Sequence, residues 1–246
     1  NVLFLFFLSI ALPATLAAQG YEIRVNPEGY VGDSIQLGYF LMDKQYLLDT
    51  AAVEKDGTFV FRGEENLAPG MYMLVFPPEN EFLQLALPAE DQAFSVEMDF
   101  FNMAQTTKFK GSEENELFYE YLNFLSKKGE QAKGLREKQE AGDEKAREQM
   151  AELDTQVKTY QNKIVEKHPE SMTALIIEST REPEIPEFTG EKAEVDRKRF
   201  YYYRDHYFDK LDLSDPRLLR SPVLFNKVDR YVTKLTVQHP DSINQS

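Results

Sequence analysis

The stretch TTKFKGSEENELFYEYLNFL, Thr106 to Leu125, changes its period halfway along, and that change decides the fold. Before Gly111, Phe109 stands between Lys108 and Lys110, the alternation of a half-buried strand. After it, Leu117, Phe118, Tyr121, Leu122 and Leu125 recur at helical spacing. Ser112 can cap the helix, and Glu113 and Glu114 suit its positive N-terminal end. A β region is therefore expected to end at Gly111 and a helical region to begin at Ser112.

Upstream, from Tyr21 to Gly111, short apolar or alternating runs follow one another: YEIRV, SIQLGYFLM, QYLLDTAAV, GTFVFRG, MYMLVFP, FLQLALP, FSVEMDFF and TTKFKG. They leave no room for crossover helices, and Asp56-Gly57, Pro69-Gly70 and Pro77-Pro78 punctuate them. Seven or eight strands in an antiparallel β-sandwich are expected. Asp56-Gly57 is the sharpest turn signal, because Gly57 can take positive φ, and it places Phe59 and Phe61 on one face of the next strand.

Downstream, Ala146, Met150, Leu153, Val157, Tyr160 and Ile164 step by four and three residues in a narrow apolar stripe. Two readings compete: a partner-binding or dimerising coiled coil, and simple packing of one hairpin arm on the other, which is the one expected here. Lys127 to Asp143 has Leu135 as its one large apolar residue and contains Gly129, Gly134 and Gly142, so the chain should reverse there. A short buried helix is expected over Ser171 to Thr180, ended by the Pro-rich link Glu182 to Pro186, and further helices over 191–208 and 223–238. The fold class expected is α+β: an N-terminal antiparallel β-sandwich (21–111), a long helical hairpin (112–168) and a helical domain read as incomplete (169–246). If that last part is incomplete, Leu224, Phe225, Val228 or Leu235 should be partly exposed.

Residues 1–18, NVLFLFFLSIALPATLAA, carry no charge, and small residues follow Pro13. That pattern suits an export signal, truncated at its start and cleaved near Ala17 or Ala18, better than a retained anchor, since the run is short for a membrane span. A periplasmic or envelope location follows. There is no cysteine, so neither disulfides nor thiolate metal sites occur in this sequence. The formal net charge is −14, and Tyr21 to Gly111 holds 15 acidic against 6 basic residues, a balance of −9. Nucleic acid is thereby disfavoured as a partner, and peripheral or no membrane contact is expected.

No catalytic, cofactor-binding or metal-ligating residue emerges. His168, His206 and His239 are dispersed and in no metal-binding spacing. His168 and His239, each before a proline, fit helix C-caps better. Nucleophile-elbow, phosphate-loop and dinucleotide-binding motifs are lacking. Glu97 and Asp99, two apart on one strand, merely face the same way, so a carboxylate-based hydrolase is disfavoured. The cluster from Arg197 to Arg204 could stack bases or sugars. On a helix, however, Phe200, Tyr203, Tyr207 and Phe208 adjoin and can enter a core, with Arg197, Lys198, Arg204 and Asp205 on the wet side.

Two stretches resemble the N-terminal region of exported thiol-disulfide oxidoreductases of the TlpA and ResA kind. One comprises Leu37 to Phe40, Lys44 to Thr50, Asp56 to Phe61, Gly70 to Tyr72 and Phe109 to Asn115. It is similar to a β-domain of unknown function that precedes the redoxin module. The other, Tyr202 to Asp209, Asp212 to Pro222 and His239 to Ile243, is similar to the helical domain between that β-domain and the thioredoxin-like fold. The resemblance implies that a thioredoxin-like domain with a C-x-x-C pair follows covalently. It also implies that the present chain is a non-catalytic scaffold or substrate-selecting part, with protein substrates and no cofactor. An envelope binding module for a protein or glycan is the alternative.

Overall fold

A computed structural model describes residues 20–236. The expected export signal, its cleavage point and the expected cap at His239 lie outside the described residues. The chain is an α+β protein, with a β region first and a helical region after it.

Among the described residues eight strands form two four-stranded sheets. They are β1 (Tyr21–Glu28), β2 (Ser34–Leu41), β3 (Lys44–Ala52), β4 (Phe59–Gly63), β5 (Gly70–Phe76), β6 (Glu81–Leu87), β7 (Ala93–Asp99) and β8 (Lys108–Lys110). One sheet has the order β4-β1-β7-β8, the other β3-β2-β5-β6. Their inner faces share one core, in which Ile23, Val25, Phe59, Phe61 and Val96 of the first meet Ile35, Leu37, Leu74, Phe76 and Leu85 of the second. Every ladder is antiparallel except β1 with β7, which run parallel with Val25 opposite Val96. The sandwich is antiparallel as expected apart from that one pair, for which β2 to β6 themselves serve as the crossover that a parallel pair requires.

Local chemistry sets the turns. Gly57 takes φ +84°, and the Asp56 carboxylate accepts hydrogen bonds from the Thr58 main-chain N–H and hydroxyl. Phe59 and Phe61 then lie buried on one face. The run FSVEMDFF does not stay a strand to its end. The Asp99 side chain accepts from the Phe101 N–H, starting a 3-10 turn over Phe100–Asn102 and a one-turn helix α1 (Met103–Thr106) before β8.

α2 (Glu113–Glu140) begins where the period changes, with the Ser112 hydroxyl accepting from the Asn115 N–H. It runs on through Gly129 and Gly134, and the chain reverses at Gly142, φ +89°, into α3 (Glu144–Lys167). The apolar stripe of α3 packs on α2: Leu153 and Ile164 are buried, and Tyr160 stacks on Phe124 with ring centroids 4.0 Å apart. α4 (Met172–Thr180) completes a second core of Tyr121, Ile164 and Ile177.

α5 (Lys192–Asp205) and α6 (Pro222–Arg230) follow, α6 running into a π-helical turn over Tyr231–Leu235. The aromatic cluster divides. Tyr207 is buried and Tyr203 and Phe208 half-buried, but Phe200 is 44% exposed, and α5 buries no residue fully. The expectation that Phe200 enters a core is corrected: α5 lies along the surface, and Tyr207 reaches the core from the turn after it. Leu224 and Phe225 are half-buried and Val228 is exposed, whereas Leu235 is buried.

The helical region docks on the β3-β2-β5-β6 sheet. α2 and α4 pack against β6, and the 3-10 turn Pro216–Arg220 packs against β2 and β5. There the Met42 N–H donates to the Leu219 carbonyl at 2.8 Å, and the Arg220 guanidinium lies over the Tyr39 ring at 4.6 Å. β5, with neighbours on both faces, is buried along almost its whole length.

Candidate functional site

The two sheets are held together differently along their two sides. On one side β3 turns directly into β4, bridged at Val53 and Phe59. On the other, the edges β6 and β8 stand apart, and the first turns of α2 fill the gap. Asn115, fully buried, accepts from the Ala86 N–H and donates to the Ala86 carbonyl, each at 2.9 Å. Its side-chain amide takes the place of a neighbouring strand. One turn later the Tyr119 hydroxyl donates to the Gln84 carbonyl at 3.0 Å. Burial pushes the Tyr119 phenol well above its ordinary value.

Beyond Tyr119 the helix and the strand edge part, and a groove of about 900 Å³ opens between β6, α1 with its preceding turn, and the middle turns of α2. Its walls are largely apolar: Phe82, Phe100, Phe101, Met103 and Leu122. Phe101 is 81% and Phe82 51% exposed, which leaves two large apolar rings facing solvent beside the groove. Glu79, Glu81 and Lys127 are the charged residues on its lining. Gln84, Asn102, Gln105, Asn123 and Ser126 add uncharged hydrogen-bonding groups to the lining.

The residues weighed from the sequence do not converge. Glu97 pairs with Lys110 at 2.6 Å across β7 and β8, while Asp99 caps the turn that follows β7. His206 Nδ1 lies 2.6 Å from Asp209, within one surface turn. At His168 the end of α3 is closed by that residue's main-chain N–H to the Ile164 carbonyl, so the expected imidazole cap is replaced by a main-chain one. Among the described residues no group of three or more His, Asp or Glu gathers as metal ligands would, and no helix is long and apolar enough to cross a membrane.

One buried charge escaped the sequence reading. Lys227, 6% exposed, donates to the carbonyls of Arg181 and Tyr207 at 3.1 and 3.2 Å and lies 4.8 Å from the Tyr207 ring. Desolvation depresses its ammonium below the ordinary lysine value. Beside it the Tyr203 hydroxyl donates to Glu182, which also pairs with Arg230. This cluster joins the ends of α4 and α5 to α6 and is structural. Its only sequence signal was a lysine among the apolar positions of α6, which alone does not reveal which carbonyls it meets.

Two known protein families match separate parts of the chain. Residues 21–118 match the Domain of unknown function (DUF4369), and residues 137–246 match the Domain of unknown function (DUF5106). The first match takes in the sandwich and the turns of α2 that seal it, Asn115 included. The second begins near the far end of α2. No curated protein and no solved structure matches the chain.

Proposed function

We infer that this chain is the non-catalytic, substrate-selecting scaffold of an exported thiol-disulfide oxidoreductase of the TlpA and ResA kind. The observation that carries the reading is a β-sandwich docked against a helical region, with an open groove of largely apolar walls between β6, α1 and α2. Two adjoining domains of unknown function, in the order that the resemblance implies, support it. So does the uncharged N-terminal run ending in small residues, which suits export. With no cysteine in this sequence, the redox chemistry would belong to a thioredoxin-like domain following in the same polypeptide.

The in-frame coding sequence beyond Ser246 tests this. Continuation into a thioredoxin-like domain with C-x-x-C is the expected result. A stop codon there overturns the redox reading and leaves an envelope binding module, which the groove favours independently. For the longer protein, disulfide reduction should vanish when either C-x-x-C cysteine is replaced.

A further inference from the structure

β6 is an edge strand, and its pairing with β5 settles which way its main chain points. Ala86 and Gln84 turn outward, as their bonds to Asn115 and Tyr119 show, and alternation then sends the main-chain groups of Phe82 outward too. Asn115 satisfies Ala86, and Tyr119 takes the Gln84 carbonyl. The Gln84 N–H and both main-chain groups of Phe82 are left facing the groove. An edge of this kind is a template for one more strand. The protein already closes half of it with side chains that imitate a strand.

We propose that the groove binds an extended polypeptide segment of a partner protein, which adds to β6 as a fifth strand of its sheet. The proposal rests on the reading of the chain as a substrate-selecting part and names what is selected. Strand addition draws affinity from main-chain hydrogen bonds and specificity from alternate side chains. Alternate residues of the segment enter between the sheets against Met103, Leu122 and Phe101 and are therefore apolar, while those between them face water. Charge complementarity selects basic flanks: two carboxylates, Glu79 and Glu81, oppose the lone Lys127 on the lining, and the surrounding β region is itself acidic. A folded surface cannot reach the Phe82 and Gln84 groups between β6 and α2, so the occupant is an unfolded or locally extended stretch of chain.

The test uses the full chain and a fluorescein-labelled heptapeptide, Lys-Val-Thr-Val-Thr-Val-Lys. Saturable one-to-one binding is expected, and amide exchange at Phe82 and Gln84 should slow by about tenfold or more on saturation. The same peptide with Pro for both the central Val and the Thr that follows it lacks a main-chain donor to β6 in either strand direction and should bind about tenfold more weakly. Glu in place of the two Lys should weaken binding at low salt, with the difference fading as ionic strength rises. Phe101→Ala, at an exposed ring, should weaken binding without altering the fold, and Asn123→Trp should fill the groove and abolish it. Equal affinity for the proline peptide, slowed exchange elsewhere in the protein, indifference to both variants, or binding of chitohexaose but no peptide would each overturn the proposal. A stop codon after Ser246 would sink the redox reading without touching this titration, and a failed titration would leave the redox reading intact.

Discussion

Asn115 shows how much one side chain can hold. Its amide closes the Ala86 N–H and carbonyl inside the core and also donates to the Ser112 hydroxyl that caps its own helix. Asn115→Ala leaves two main-chain groups buried and unpaired, and a loss of about 3 kcal/mol is expected, read from the urea midpoint. Unchanged stability would mean that water takes the place of the amide. Tyr119, one turn on, makes stability depend on alkaline pH. Its phenol is held above the ordinary value by burial, so the folded state keeps the proton where the unfolded chain gives it up. That contribution is complete below about pH 10, the unfolded value, and is lost as pH rises through the higher folded value. Tyr119→Phe should cost the hydrogen bond, about 1 kcal/mol at neutral pH, yet unfold less steeply with pH above 10. Parallel alkaline unfolding curves for the two proteins would refute this account.

At the scale of elements, the period change at Gly111-Ser112 was legible because strand alternation, helix cap and helical spacing meet within twenty residues, and β8 and α2 fall on either side of it. The strand runs were legible for the same local reason. Their partners were not, since the parallel β1–β7 pair depends on which sheet each hairpin joins. The groove was also hidden, because Phe101 reads as a strand residue until Asp99 ends β7 and α1 carries the chain aside, away from Phe82 on β6. Within α2, Gly129 and Gly134 are helical with nothing near the place a Cβ would occupy. Alanine at either position should stabilise the helix by about 1 kcal/mol. The far end of the hairpin is solvated and can open without the rest of the protein unfolding. The gain should therefore show as slower amide exchange over residues 127–140, and a change confined to the sandwich would count against it.

For the whole molecule the question is whether the sandwich and the helices behave as one body. Contacts at several separate points join them, the bonds of Asn115 to Ala86 and of Tyr119 to Gln84 among them, and α2 is in turn tied to α4. The Glu114 carboxylate accepts from the Met172 and Thr173 N–H groups at the start of α4, giving that helix an anion at its positive end. Met172 itself is buried in the sandwich core. The turn Pro216–Arg220 lies on β2 and β5, stiffened by the Asp215 carboxylate on Arg217, an ion pair that depresses the acid and raises the guanidinium. A groove formed by β6 on one wall and α2 on another keeps its width only if these contacts hold, so the same docking that stabilises the fold shapes the binding edge. Unfolding should accordingly be a single transition in which β and helix signals fall together. Arg220→Ala removes the guanidinium from the Tyr39 ring and should lower that transition by about 1 kcal/mol without splitting it. Calorimetry resolving two transitions in the parent chain, or helices melting before strands in the variant, would show that the sandwich stands alone and that the groove has an independently moving wall.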